Sequence, residues 1–189
     1  MNILEQIAAQ TRERIEAEKR QTPTEKLIRQ IEAMEQKKSK QSFYEALKKP
    51  GMSYICEVKK ASPSKGLIAS DFPYLDIARE YEAAGASAIS CLTEPFRFLG
   101  KDAYLQEIAA QVEIPVLRKD FTVDEYMIYQ ARLLGASAVL LICAILDDAQ
   151  LRAYRELAES LGMDALVEAH DETEVGRAAV SGARIIGVN

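Results

Sequence analysis

From Tyr54 onward the sequence predicts an α/β fold built on a parallel sheet, and three observations carry that reading. Short β-prone apolar runs alternate with amphipathic helical segments, the pattern of βαβ units. A small-residue element recurs ahead of the strands, as Ala84-Gly85-Ala86-Ser87-Ala88, Leu134-Gly135-Ala136-Ser137-Ala138 and Ser181-Gly182-Ala183. The apolar runs also end, one after another, in charged or polar residues. The irregular period argues against a solenoid. Two architectures compete for the six strands: an open doubly wound sheet and part of a (βα)8 barrel. No G-x-G-x-x-G follows the first strand and no Walker A sequence occurs, so the nucleotide-binding versions of the open sheet lack their fingerprint.

Taken in order, the chain begins with helices. Leu4, Ile7, Ala8, Thr11 and Ile15 recur at helical spacing among Glu, Gln, Lys and Arg, which predicts an amphipathic first helix. Thr22-Pro23-Thr24-Glu25 offers an N-cap, a proline at the first helical position and a capping-box Glu for a second helix through Leu27, Ile28, Ile31 and Met34. The run Lys37-Lys38-Ser39-Lys40 ends it, and Phe43, Tyr44 and Leu47 predict one more short helix, stopped by Lys49-Pro50-Gly51. Residues 1–52 form a helical extension and residues 53–189 the strand-helix series. Strands are expected over Tyr54–Val58, Ala86–Leu92, Ile114–Leu117, Ser137–Ile142, Ala165–Val167 and Arg184–Val188. Helix starts are marked by Asp71 before Phe72-Pro73, Thr122 with Glu125, Asp147 with Gln150 and Asp171 with Glu174. Helix ends are marked by Gly85, Gly135, Gly162 and Gly182, each suited to a C-cap.

The 189 residues suffice for a sizeable core, and 48% hydrophobic with 28% charged residues excludes disordered and fibrous classes. Net charge is -5, with 11 Lys/Arg against 8 Asp/Glu in residues 1–52 and 13 against 21 beyond, so no polycationic face is offered to nucleic acid. Cys56, Cys91 and Cys143 are odd in number, far apart and set in apolar runs, the pattern of buried thiols in a reducing compartment. With the single His170 they suggest no metal site, and no cofactor is expected. No signal-like segment or run of membrane-spanning length is present, so the expected location is the cytoplasm, without a membrane partner.

Chemistry gathers where the strands end. Side chains alternate along a strand, so Ile55, Glu57 and Lys59 share one face while Cys56 and Val58 share the other. A carboxylate and an ammonium two residues apart are either an edge-strand ion pair in water or a pair held in a site. The second reading gains from the recurrence: Glu94 follows the second strand, Arg118 and Lys119 the third, Glu168 the fifth and Asn189 the sixth. In a parallel barrel these ends form one rim, where the active sites of such barrels lie. Lysines and glutamates interleaved there suit acid/base chemistry on an anionic substrate.

Cys56-Glu57-Val58-Lys59-Lys60-Ala61-Ser62-Pro63-Ser64, Leu92-Thr93-Glu94, Leu117-Arg118-Lys119-Asp120-Phe121, Leu166-Val167-Glu168-Ala169-His170 and Ile186-Gly187-Val188-Asn189 together resemble, in order and spacing, the successive motifs of indole-3-glycerol phosphate synthase. The resemblance implies an α/β fold of the TIM (βα)8-barrel family and a lyase of tryptophan biosynthesis. That enzyme converts 1-(o-carboxyphenylamino)-1-deoxyribulose 5-phosphate to indole-3-glycerol phosphate, losing carbon dioxide and water. It further implies Lys119 as general acid, Glu168 as acid/base partner, Lys59 against the substrate carboxylate and Glu57 orienting Lys59. Asn189, Ser62, Phe98 and Glu94 are the implied substrate-binding residues, with Ser62 at the phosphate and Phe98 lining the anthranilate pocket.

The family has two further βα units after the position of Asn189, and the stretch from Tyr54 is shorter than the roughly 200 or more residues such a barrel takes. The expectation is a chain ending after the sixth barrel strand, with little synthase activity in the 189-residue form and self-association through open barrel edges at the first and sixth strands. Two alternatives stand beside the synthase. One is a noncatalytic barrel fragment. The other is a different sugar-phosphate barrel enzyme, either an isomerase or an aldolase with Lys119 as Schiff-base lysine, which borohydride trapping would reveal.

Overall fold

The computed structural model describes residues 2–34 and 42–189. The lysine-rich run Lys37-Lys38-Ser39-Lys40, expected to end the second helix, lies outside the described residues. In chain order the elements are α1 (Ile3–Gln21), α2 (Thr24–Glu32), α3 (Phe43–Leu47), β1 (Ile55–Val58), β2 (Ala61–Ser62), β3 (Gly66–Leu67), α4 (Tyr74–Ala83) and β4 (Ala88–Leu92). They continue with α5 (Asp102–Gln111), β5 (Val116–Lys119), α6 (Glu125–Leu133), β6 (Ala138–Ile142), a 3-10 turn (Cys143–Ile145), α7 (Asp148–Ser160), β7 (Asp164–Ala169), α8 (Glu172–Val180) and β8 (Ile185–Val188). Tertiary contacts divide the chain into two compact units, Lys38–Asp120 with Leu134–Ala138, and Met1–Lys37 with Phe121–Leu133 and Val139–Asn189.

In the unit that holds β1, β4 and β5, the three strands run parallel. Ile55 to Val58 stand beside Ala88 to Cys91, and Ile89 to Leu92 beside Val116 to Lys119. Helices α4 and α5 pack on one another and on these strands. The β1–α4 connection carries a small antiparallel hairpin, β2 with β3, that the sequence did not suggest.

In the other unit β7 pairs with β8 in parallel, Leu166 beside Ile185 through Ala169 beside Val188. Helix α1 buries Ile7, Ala8, Thr11 and Ile15, the face that its spacing predicts. Ala8 and Ile15 join Leu27, Val123, Tyr126 and Met127 in one buried cluster. None of the described helices is long and apolar enough to cross a membrane.

The helix signals divide instructively. Asp147 and Gln150 form the reciprocal capping box, and Asp171 accepts the Glu174 N–H, while the Glu174 carboxylate takes the N–H of His170 rather than that of Asp171. The other three starts are corrected. Helix α1 runs on to Gln21 and takes Thr22 as its C-cap, so Pro23 becomes the α2 N-cap with no side-chain cap bond. Pro73 likewise occupies the N-cap of α4, leaving Asp71 beyond reach of the first turn. At α6 it is Asp124, not the buried Thr122, whose carboxylate accepts the Tyr126 N–H, while its other oxygen meets Lys19 Nζ at 2.6 Å. At the opposite ends, Gly85, Gly135, Gly162 and Gly182 hold φ of 89°, 85°, 77° and 85°, which a side chain would oppose.

Two strand boundaries move in a way that matters. Strand β5 starts and ends two residues later than its apolar run suggests, and β7 extends to Ala169. Lys119 and Glu168 are therefore paired strand residues, beside Leu92 and Gly187 respectively, and not loop residues. Backbone pairing overrides the low strand propensity of charged side chains.

Candidate active site

Register and alternation place the first set of functional residues on one face of β1, β4 and β5. Glu57, Ser90 and Leu117 lie side by side across the three strands, and Leu92 and Lys119 form the next row toward the strand ends. Lys59 projects to the same side as Glu57, and its Nζ sits 2.5 Å from Glu57 Oε1, with both side chains one-third exposed. A pair this open contributes under about 1 kcal/mol to stability. Between these charges Ser90 is buried, and its Oγ has no hydrogen-bond partner.

The opposite face does different work. Arg118, one of the strand-end cations in the sequence, points away from Lys119 and is 1% exposed. Its Nη2 donates to Asp102 Oδ1 at 2.9 Å and its Nε to Thr93 Oγ1 at 3.2 Å. The Thr93 hydroxyl donates in turn to Asp120 Oδ2 at 2.8 Å, and Asp120 is itself buried, 3.8 Å from Arg118. Thr93 also gives its N–H to the carbonyl of Lys119 at 3.1 Å. The residues flanking Lys119 are thereby fixed from behind. Cys91 stands on this same face beside Val58, and burial pushes its thiol up to about 12.

Glu94 begins a loop that it also closes. Fully buried, it accepts the N–H groups of Phe96, Arg97 and Phe98 at 2.8, 2.7 and 2.9 Å, while its carbonyl takes the Gly100 N–H at 2.8 Å. A Cβ on Gly100 would stand 2.4 Å from the Leu92 carbonyl oxygen, so only glycine fits. Leu99 completes the turn at φ 52°. The loop is held in one shape, with Phe98 half-buried and Phe96 and Leu99 exposed. Ser62, on β2, accepts the Lys65 N–H at 3.2 Å and lies 3.5 Å from the Ser64 hydroxyl.

In the other unit, Glu168 on β7 is mostly buried, and His170 Nε2 lies 3.6 Å from its Oε1. The second ring nitrogen, Nδ1, is 3.1 Å from Glu174 Oε2. The Glu-x-His-x-x-x-Glu spacing of Glu168, His170 and Glu174 thus sets the imidazole near two carboxylates. Asn189, after β8, donates its N–H to the Ala169 carbonyl at 3.0 Å, next to Glu168 in sequence. Among the described residues no group of three or more His, Cys, Asp or Glu is placed to hold a metal.

A family model for indole-3-glycerol phosphate synthase matches residues 4–189. The chain belongs to the indole-3-glycerol phosphate synthase family. Synthases from Ruminiclostridium cellulolyticum and Endomicrobium trichonymphae are 53% and 54% identical to it over 187 residues, covering 99% of this chain and 72% of each relative. Membership makes the function that of a carboxy-lyase of tryptophan biosynthesis acting on a phosphorylated small molecule. A solved structure of KGPDC from Streptococcus mutans superposes with a TM-score of 0.53 at 12% identity, covering 71% of this chain and 64% of that one. That likeness concerns the fold alone. Together with the synthase family match it resolves the two architectures in favour of the (βα)8-barrel class, of which β1 and β4 to β8 supply six strands.

Proposed function

We propose that Lys119, Glu168, Lys59 and Glu57 carry the proton transfers of the synthase reaction. The observation that supports this most is the Glu57–Lys59 pair, held at 2.5 Å on the strand face that also presents Lys119. Lys119 acts as the general acid, protonating the ribulose carbonyl or the departing oxygen during ring closure. Lys59 holds the substrate carboxylate, and Glu57, its partner, sets the direction of the ammonium. Glu168 serves the later proton removal or dehydration. Asn189 and Ser62 bind substrate, Ser62 toward the phosphate. Phe98 lines the anthranilate pocket, and Glu94 acts through the loop that carries Phe98, because its carboxylate is engaged with backbone N–H groups.

Proton transfer is needed chiefly in the transition state, so in a version extended to the full length of its relatives Lys119→Ala and Glu168→Gln should each lower kcat by about 10²–10⁴ relative to the unsubstituted protein of that length, with little change in KM. A raised KM with unchanged kcat in both would remove the assignment. We infer too that the 189-residue chain self-associates through β1 and β8, whose Ile55 and Val188 are exposed apolar residues, a state that light scattering reads directly. A cytoplasmic place of action accords with three free thiols.

A further inference from the structure

On the Glu57–Lys119 face Ser90 is a polar residue that the assigned roles leave without a task, beside the apolar Leu92 and Leu117. Its hydroxyl is buried without a partner, on a strand, beside Glu57 on one side and Leu117 on the other, one row below Lys119. Thr11 of α1 also meets no protein partner through its hydroxyl, but it is buried along with Ile7, Ala8 and Ile15 on a helix that belongs to none of the strands bearing the candidate site. What selects Ser90 is the combination of an unmet hydrogen-bonding group with the charged row in which it stands. Buried hydroxyls are ordinarily hydrogen-bonded, so one that meets no protein group at a charged site is a candidate partner for a bound ligand.

We propose that Ser90 is a further substrate-contacting residue, whose hydroxyl donates a hydrogen bond to an oxygen of the bound substrate. The face around it presents two ammonium groups, and its carboxylate, Glu57, is already engaged by Lys59. A ligand complementary to that face brings oxygen acceptors. A side chain as short as serine reaches one only if the ligand penetrates to the Glu57 row, so Ser90 reads how deeply the substrate is seated. The inference rests on the functional reading above.

The test is calorimetric titration of a version extended to the full length of its relatives with the reduced substrate analogue, 1-(o-carboxyphenylamino)-1-deoxyribitol 5-phosphate, alongside thermal melting without ligand. Ser90→Ala should weaken the analogue by about 5-fold to 10-fold, the value of one hydrogen bond, while the unliganded chain melts no lower than before. Lys59→Ala serves as the reference and should weaken the analogue as well. If Lys59→Ala weakens binding and Ser90→Ala leaves it within about 2-fold, the Ser90 contact is wrong and the functional reading stands. If both Lys59→Ala and Ser90→Ala bind the analogue as tightly as the unsubstituted protein, the functional reading falls and the contact with it. A clear drop in the melting temperature of Ser90→Ala would show that the hydroxyl serves the fold, and would also overturn the proposal.

Discussion

Arg118 and Lys119 are adjacent cations on one strand, and they have opposite fates. Arg118 turns to the face packed under helices, loses all but 1% of its exposure and is held by Asp102 and Thr93 with Asp120 close by. Lys119 turns to the face shared with Glu57 and Ser90. The difference between them is one step of a period-two alternation, and it separates a charge that maintains the fold from the one we propose for chemistry. Because Thr93 bonds both to the Arg118–Asp120 set and to the Lys119 carbonyl, the structural face also fixes the backbone from which the functional face projects.

If that contrast is right, substitutions on the two faces should fail differently. The largest loss of stability is expected from Arg118→Met, which strands Asp120 in the interior and should cost about 3–5 kcal/mol in urea unfolding. A variant of ordinary stability would erase the distinction. A smaller, pH-dependent effect is expected at Cys91. Burial raises its thiol from 9.0 to about 12, so the stability that this contributes is complete below about pH 9 and is lost as the pH climbs toward 12. Cys91→Ala should therefore show a flatter fall of the urea midpoint between roughly pH 8 and 10.5 than the parent chain; parallel curves would argue that the thiol is not buried in solution. Smallest in stability is Glu57→Gln, which breaks a one-third-exposed pair and should cost under about 1 kcal/mol. Its turnover should nonetheless fall, since the Lys59 ammonium loses the carboxylate that aims it.

The sequence conveyed this contrast only in part, for reasons that individual residues make plain. The buried face of α1, the Asp147–Gln150 box and the four helix-ending glycines were legible because each depends on local spacing or local backbone geometry. So was the shared face of Glu57 and Lys59, which follows from alternation alone. Arg118 could not be told from Lys119, because two adjacent basic residues look alike until register assigns them faces. Strands β5 and β7 were read short, since their last residues are charged and only pairing with β4 and β8 keeps them extended. Glu94 resembled the other strand-end acids, and nothing local says that its oxygens fold back onto three N–H groups of its own loop. The prolines misled in the other direction: Pro23 and Pro73 stand at N-caps, one position earlier than their usual place.

The most direct test of the two-face account is a single preparation each of Lys119→Met and Arg118→Met, in a version extended to the full length of its relatives, measured for melting temperature and for formation of indole-3-glycerol phosphate. Lys119→Met should melt within about 2 °C of the parent while its kcat falls at least about 10²-fold. Arg118→Met should lose stability first, with any fall in activity tracking the unfolded fraction. A Lys119→Met chain that turns over normally, or one that unfolds as readily as Arg118→Met, would contradict the assignment of Lys119 to the chemical face.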